Sequence, residues 1–263
     1  MNVYKFEFLS IRKSLITWCI ILAFTYYFLI AGIYPMFADG MKLVKELIEY
    51  MPPEYLLVFG LDVENMVDYN GFYSFSYIYI ALVAGVMATS ITANVFGKEK
   101  KSYCQEFLFS KPIKRQNIFK VKLLVILTAV LIFNVIAIAI SLFCFDKYGT
   151  LDNNAILAIF SITFCQLVFV GLSTFIVVFI PKIRSTATIS ATVGLLAFTI
   201  EVFINALRIK CLEFFSPLHF FTPKSVFESG GFDFSLSIYA IAILIISIGV
   251  SAVHFIKADL GKL

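Results

Sequence analysis

Charge is what this chain has least of. Only 14% of its 263 residues are Asp, Glu, Lys or Arg, against roughly a quarter in a soluble domain. Hydrophobic residues make up 60%, and the mean hydropathy is +0.93. So few charges cannot keep a fold of this size in water, which makes lipid the solvent for most of the chain. Histidine is scarce as well. The two, His219 and His254, stand far apart in sequence, so no paired-imidazole metal set exists, and each reads as a histidine lying at a membrane interface. No G-x-x-x-x-G-K-[ST] phosphate loop, H-E-x-x-H or G-x-S-x-G occurs. Those absences exclude autonomous ATP hydrolysis and the commonest zinc and serine hydrolase chemistries, so no catalytic or metal residue is assigned. Five cysteines, Cys19, Cys104, Cys144, Cys165 and Cys211, match no zinc or redox spacing. A Cys144–Cys211 bridge near the outer face is left open.

Long apolar runs are what the chain does have. A helix needs about twenty apolar residues to cross the hydrocarbon core, and six segments qualify, roughly 15–37, 72–96, 123–145, 155–180, 186–207 and 236–256. The first is too long, and too poor in small residues at its end, to be a removable signal peptide. The reading is an all-α integral membrane protein with a single transmembrane domain over residues 1–263. Orientation follows from basic residues in the loops. With the N-terminus cytoplasmic, fifteen of the twenty-one Lys and Arg fall inside, among them Lys5, Arg12, Lys13, Lys182, Arg184, Lys257 and Lys262. Only Lys42, Lys45, Lys147, Arg208, Lys210 and Lys224 fall outside. Both termini are therefore expected in the cytoplasm.

Two amphipathic stretches flank the first span. Residues 41–51 place Met41, Val44, Leu47, Ile48 and Met51 on one helical face and Lys42, Lys45, Glu46 and Glu49 on the other, the pattern of an interfacial helix in the first outer loop, stopped by Pro52-Pro53. Residues 1–13 mix Tyr4, Phe6, Phe8, Leu9 and Ile11 with Lys5, Glu7 and Arg12, and are expected to lie along the inner surface as an N-terminal interfacial helix.

Polar residues inside the spans are few: Asn94, Asn134, Gln166, Glu201 and Asn205. An ionisable group in a span is costly and raises a functional question. Glu201, with Asn205 four residues on and then Arg208, suits a polar ladder lining a translocation path. It equally suits a carboxylate near the outer interface that pairs with Arg208 or water. Asn94 and Asn134 read as interhelical hydrogen-bonding groups, worth ~1 kcal/mol each. Ala81 with Gly85, Ala84 with Ala88, and Ala187, Ala191 and Gly194 form small-residue rows suited to close helix contact.

One loop concentrates the basic charge. Eight Lys and Arg lie between Phe96 and Lys122, around the sequence Glu106-Phe107-Leu108-Phe109-Ser110-Lys111-Pro112-Ile113-Lys114-Arg115. From Gly97 the pattern continues the second span as a helix. Pro112 breaks it, and Gln116–Lys122 restarts a helix into the third span. The result is a cytoplasmic elbow with Phe107, Leu108 and Phe109 available for docking, or a solvated loop whose charges hold lipid headgroups.

This loop resembles that of the membrane subunit (permease) of ABC-2 type ABC transporters, where it reads approximately E-x-x-x-G-T-x-E-x-L-L-S-x-P-I-S-R with a later lysine. Glu99 and Glu106 match its two acids, Leu108-Phe109 the apolar pair, Pro112-Ile113 the turn and Arg115 the basic residue, with Lys120 or Lys122 last. Tyr103-Cys104 stand where Gly-Thr is usual. Ser216-Pro217-Leu218-His219-Phe220-Phe221 and Phe255-Ile256-Lys257-Ala258-Asp259-Leu260 resemble the family's outer-loop and C-terminal segments.

The resemblance implies two permease copies, identical or paralogous, and two separate ATPase subunits that bind ATP and Mg. This chain itself would hold no cofactor. It also implies a coupling helix made by Glu99, Glu106, Phe107, Leu108, Phe109, Pro112 and Arg115, and outward transport of a drug, antimicrobial peptide or lipid across a cell membrane, in a bacterium the plasma membrane. Nucleic acid is not an expected partner. A secondary transporter without an ATPase would show inverted repeats and a mid-bilayer ion relay. A non-transporting scaffold or sensor would need the same docking loop, and an intramembrane enzyme ranks last.

Overall fold

The computed structural model describes residues 3–38, 50, 52, 66, 68–102, 114–207 and 209–257. Among these every regular element is helical: α1 Val3–Ala38, α2 Tyr69–Ser102, α3 Arg115–Tyr148, α4 Asn153–Phe179, α5 Thr186–Leu207, the short α6 Lys210–Glu213 and α7 Pro223–Ser229, and α8 Phe234–Lys257. Six of them, α1 to α5 and α8, are long and apolar enough to cross a membrane, matching the six anticipated segments. The amphipathic stretch 41–51 falls almost wholly outside the described residues.

Local chemistry sets the boundaries. Asp152 caps α4, its carboxylate accepting from the Ala155 N–H at 2.8 Å. Pro181 disfavours helix at the residue before it, and Ile180 is extended, ending α4. Asp233 Oδ1 accepts from the N–H groups of Ser235 and Leu236 and so opens α8. Pro223 stands in the first turn of α7, and Gly230 closes it in the left-handed region at φ 78°, a conformation that only glycine adopts without strain.

α2 and α4 form the centre. They pack on each other, and around them α2 meets α1, α3 and α5 while α4 meets α3, α7 and α8. These two spans are also the most buried, and α1, α8 and α5 the least. The small-residue rows explain the close central contact. A Cβ on Gly85 would come within 2.7 Å of the Phe169 ring of α4, and one on Gly194 within 2.4 Å of Val86 of α2. Ala81, Ala84 and Ala88 are fully buried, whereas Ala187 and Ala191 of α5 point outward, away from the bundle.

No break separates the first residues from the span: α1 begins at Val3 and runs through a π-helical stretch at Tyr27–Ile33 to Ala38. The segment read as a separate interfacial helix is therefore the first turns of α1. Within those turns Glu7 is 1% exposed and is held inside the bundle by two lysines described below. At the opposite end Tyr34 packs on Tyr69, Phe72 and Tyr148 with ring centroids 5.0–5.3 Å apart. Cys144 and Cys211 are free thiols, the first buried and the second exposed, so no bridge joins them.

Candidate functional site

The basic loop hangs from α2 and α3, and the ends of all six long helices meet at its base. Lys98 and Lys100 lie in the last turns of α2, and Arg115 and Lys122 in the first turns of α3. On a helix, residues four apart share a face. Lys122 lies seven residues into α3, on the face turned to α1 and α2.

The centre of this layer is Glu7. Its Oε2 accepts from Lys98 Nζ and its Oε1 accepts from Lys122 Nζ at 3.2 Å. The Lys122 side chain is 1% exposed, also donates to the Val95 carbonyl, and faces the Phe96 ring at 5.8 Å. Lys98 sits over Phe6 at 4.6 Å. A buried ammonium is tolerated only when paired and hydrogen-bonded, and the Glu7 carboxylate supplies the charge while a backbone carbonyl supplies the second acceptor. Beside this cluster Phe96, Phe119 and Phe255 stack from α2, α3 and α8 at centroid distances of 5.4–6.0 Å.

Lys100 makes the second anchor. Its Nζ donates to the carbonyls of Val177, Val178 and Ile180 at 3.1, 2.7 and 2.8 Å. These are orphan acceptors at the C-terminal end of α4, where a cation also meets the negative end of the helix dipole. Arg115 Nη1 lies within 3.5 Å of the Ile256 carbonyl of α8, and Thr186 Oγ1 of α5 donates to Asn94 Oδ1 of α2 at 2.9 Å. Both helices that carry the loop are thus tied to their neighbours by polar bonds, α2 to α1, α4 and α5, α3 to α1 and α8.

Of the sequence-derived coupling residues, Glu99 lies in the last turns of α2 and Arg115 at the start of α3. Glu106, Phe107, Leu108, Phe109 and Pro112 lie outside the described residues. Glu7 and Lys100 had no signal in the sequence beyond being charges beside an apolar run, because their partners stand 77 or more positions away.

A second polar cluster occupies the opposite half of the bundle. Glu201 is 2% exposed, and both its oxygens are engaged: Ser216 Oγ donates to Oε2 at 2.7 Å, and His219 Nδ1 donates to Oε1 at 3.0 Å. The segment Ser216–Phe221 turns inward, with Leu218 and Phe220 buried and the Pro217 carbonyl 3.3 Å from Cys165 Sγ of α4. His219 is therefore a partner of the intramembrane carboxylate rather than an isolated interface residue. Burial alone would lower its pKa, but the hydrogen bond to Glu201 and the charges of Glu201, Glu213 and Asp233 outweigh it, and the imidazole is raised above its usual value. Asn205 stands one turn beyond Glu201, half-buried. This geometry is a clasp between α5 and the α6–α7 loop. It is not a nucleophilic triad, because Ser216 bonds the carboxylate and not the imidazole.

Midway between these clusters Asn134 of α3 donates to Gln166 Oε1 of α4 at 2.6 Å and accepts from Thr163 at 2.9 Å. Gln166 Nε2 in turn donates to the Ala84 carbonyl of α2 at 3.0 Å. The interhelical role read for Asn94 and Asn134 is what both residues do. No group of His, Cys, Asp and Glu able to hold a metal occurs among the described residues.

No curated protein and no solved structure matches this chain. A family model described as ABC-2 family transporter protein matches residues 1–260, covering all six spans and both polar clusters. The chain accordingly belongs to the ABC-2 family of transporter membrane proteins.

Proposed function

We propose that the chain is the permease subunit of an ATP-binding cassette exporter, with ATP and Mg held by separate ATPase subunits. Two permease copies, identical or paralogous, form the pathway, and two ATPases dock at the basic end, which the excess of Lys and Arg puts in the cytoplasm. The observation that carries the reading is the bracing of the basic loop. Lys100 on the α4 carbonyls, with Lys98 and Lys122 on Glu7, makes α2, α3, α1 and α4 move with whatever grips residues 103–113. Nucleotide-driven closure of the ATPases then biases a bundle with two arrangements. Family resemblance supports export of a hydrophobic or amphipathic substrate, a drug, an antimicrobial peptide or a lipid, across the plasma membrane of a bacterial cell; this step is analogy.

The test is purification from the native host in mild detergent, with identification of co-purifying chains by mass spectrometry and measurement of transport-linked ATPase activity. An ATPase should be recovered with the unaltered chain and lost with Glu106→Lys, while membrane insertion is unchanged. Arg115→Glu is tested separately, since Arg115 also approaches α8. A chain recovered without any ATPase refutes the reading and favours a secondary transporter.

A further inference from the structure

Between α6 and α8 the chain lies over the two central helices at the end away from the basic loop. Residues 214–222 form a run of turns rather than a helix, and α7 after them rests on α4 and α2. A segment with few regular backbone bonds of its own is held in place by what its side chains reach. Leu218, Phe220 and Phe221 are buried, but lipid tails are as apolar as these side chains, so such contacts give little preference for the seated position. Three polar bonds fix it: Ser216 and His219 on Glu201, and the Cys165 thiol on the Pro217 carbonyl. At its far end stand Gly230 and Gly231, where a Cβ on either would meet nothing within 4 Å. Two adjacent glycines in open space make a hinge.

The charged groups that face His219 among the described residues are acidic: Glu201 of α5, Glu213 of α6 and Asp233 just ahead of α8. Beside Glu201 stand the Cys165 thiol of α4 and the Tyr77 hydroxyl of α2, and Tyr239 of α8 packs on Phe220. On α7 Lys224 and Glu228 lie 3.9 Å from each other. A protonated His219 gives the 2%-exposed Glu201 carboxylate its counter-charge. A neutral imidazole offers an ordinary hydrogen bond, roughly half as strong, and leaves a buried charge unpaired. The His219 side chain is 22% exposed, so water can exchange protons with it. We infer that residues 214–231 are a pH-controlled cover, held on α5 while His219 carries a proton and released about the Gly230–Gly231 hinge once it is neutral.

The experiment is electron paramagnetic resonance of the full chain in lipid nanodiscs, with a nitroxide on Lys224→Cys and with Cys19, Cys104 and Cys211 changed to Ser. Lys224 is exposed on α7, and the line shape reads mobility without the pH dependence of a labelling reaction. Each unit by which the seated cover raises the His219 pKa multiplies the released population about tenfold across the titration. The label should therefore be immobile near about pH 6 and mobile near about pH 9, with a midpoint above about 6.5, the ordinary histidine value. His219→Gln and Glu201→Gln should each be mobile already at the lower pH and lose the transition. Gly231→Val, whose side chain meets open space, should stiffen the hinge and reduce the mobility of the alkaline form. A label that stays immobile across the whole range overturns the inference. So does a transition in His219→Gln that matches the one in the chain with His219 intact.

Discussion

Removing Glu7 should unfold the base of the loop more than any other single exposed-looking charge would. Its carboxylate is 1% exposed and faces two lysines, one of which, Lys122, is itself buried. Deleting one partner of a buried ion pair leaves the other uncompensated, at a cost of about 3–5 kcal/mol. Lys98, whose side chain is 28% exposed, can turn to water, so the cost falls mainly on Lys122. Glu7→Met and Lys122→Met should therefore each destabilise the detergent-solubilised chain by about 3 kcal/mol or more. The double variant should recover most of that loss, because replacing both members of a buried pair by apolar side chains of similar size is close to neutral. The resulting coupling energy, about 3 kcal/mol, is read from equilibrium unfolding in mixed micelles of wild type, both single variants and the double. Additive single effects, or a Glu7→Met variant within 0.5 kcal/mol of wild type on the scale of exposed charges, would refute the buried bridge. If the bracing also transmits force, the double variant should be stable yet show weakened coupling between transport and ATP hydrolysis. That outcome separates rigidity from polarity.

Three further outcomes follow from the same geometry. Lys100→Met should strip the end of α4 of its cap and lower the thermal midpoint, with a cost of about 1–3 kcal/mol for the carbonyls left unsatisfied; amide exchange at Ile176–Ile180 should rise. His219 has a raised pKa in the folded chain, so its contribution to stability is fully present below about pH 6.5, the ordinary histidine value, and is lost as pH rises through the raised value. A scan of thermal midpoint from pH 5.5 to 9 should show that loss in wild type, and the loss should be absent in His219→Gln and Glu201→Gln. Gln166→Leu should cost about 1–2 kcal/mol by leaving Asn134 and the Ala84 carbonyl short of a partner; Asn134→Leu with Gln166→Leu should cost less than the sum, measured in the same unfolding assay.

The number and places of the spans were legible in the sequence, because crossing a hydrocarbon layer requires a continuous apolar run and hydropathy is a local property of the chain. The small-residue rows located Gly85 and Gly194 as close-contact points, but could not say that Ala187 and Ala191 face outward, since rotation of a helix depends on its neighbours. Charge pairing was not legible at all. Glu7 and Lys122 lie 115 positions apart and Lys100 lies 78 from the Val178 carbonyl, so nothing in either neighbourhood signals the other. His219 and Glu201, 18 apart, were both noticed and still not joined, because the inward turn of Ser216–Phe221 is made by burying Leu218 and Phe220 against other helices. The sequence by itself determined which segments dissolve in lipid and where basic charge collects. Only the tertiary structure decided which of those charges are buried struts, since a buried ion is tolerable only beside a counter-charge and acceptors that distant parts of the chain bring to it.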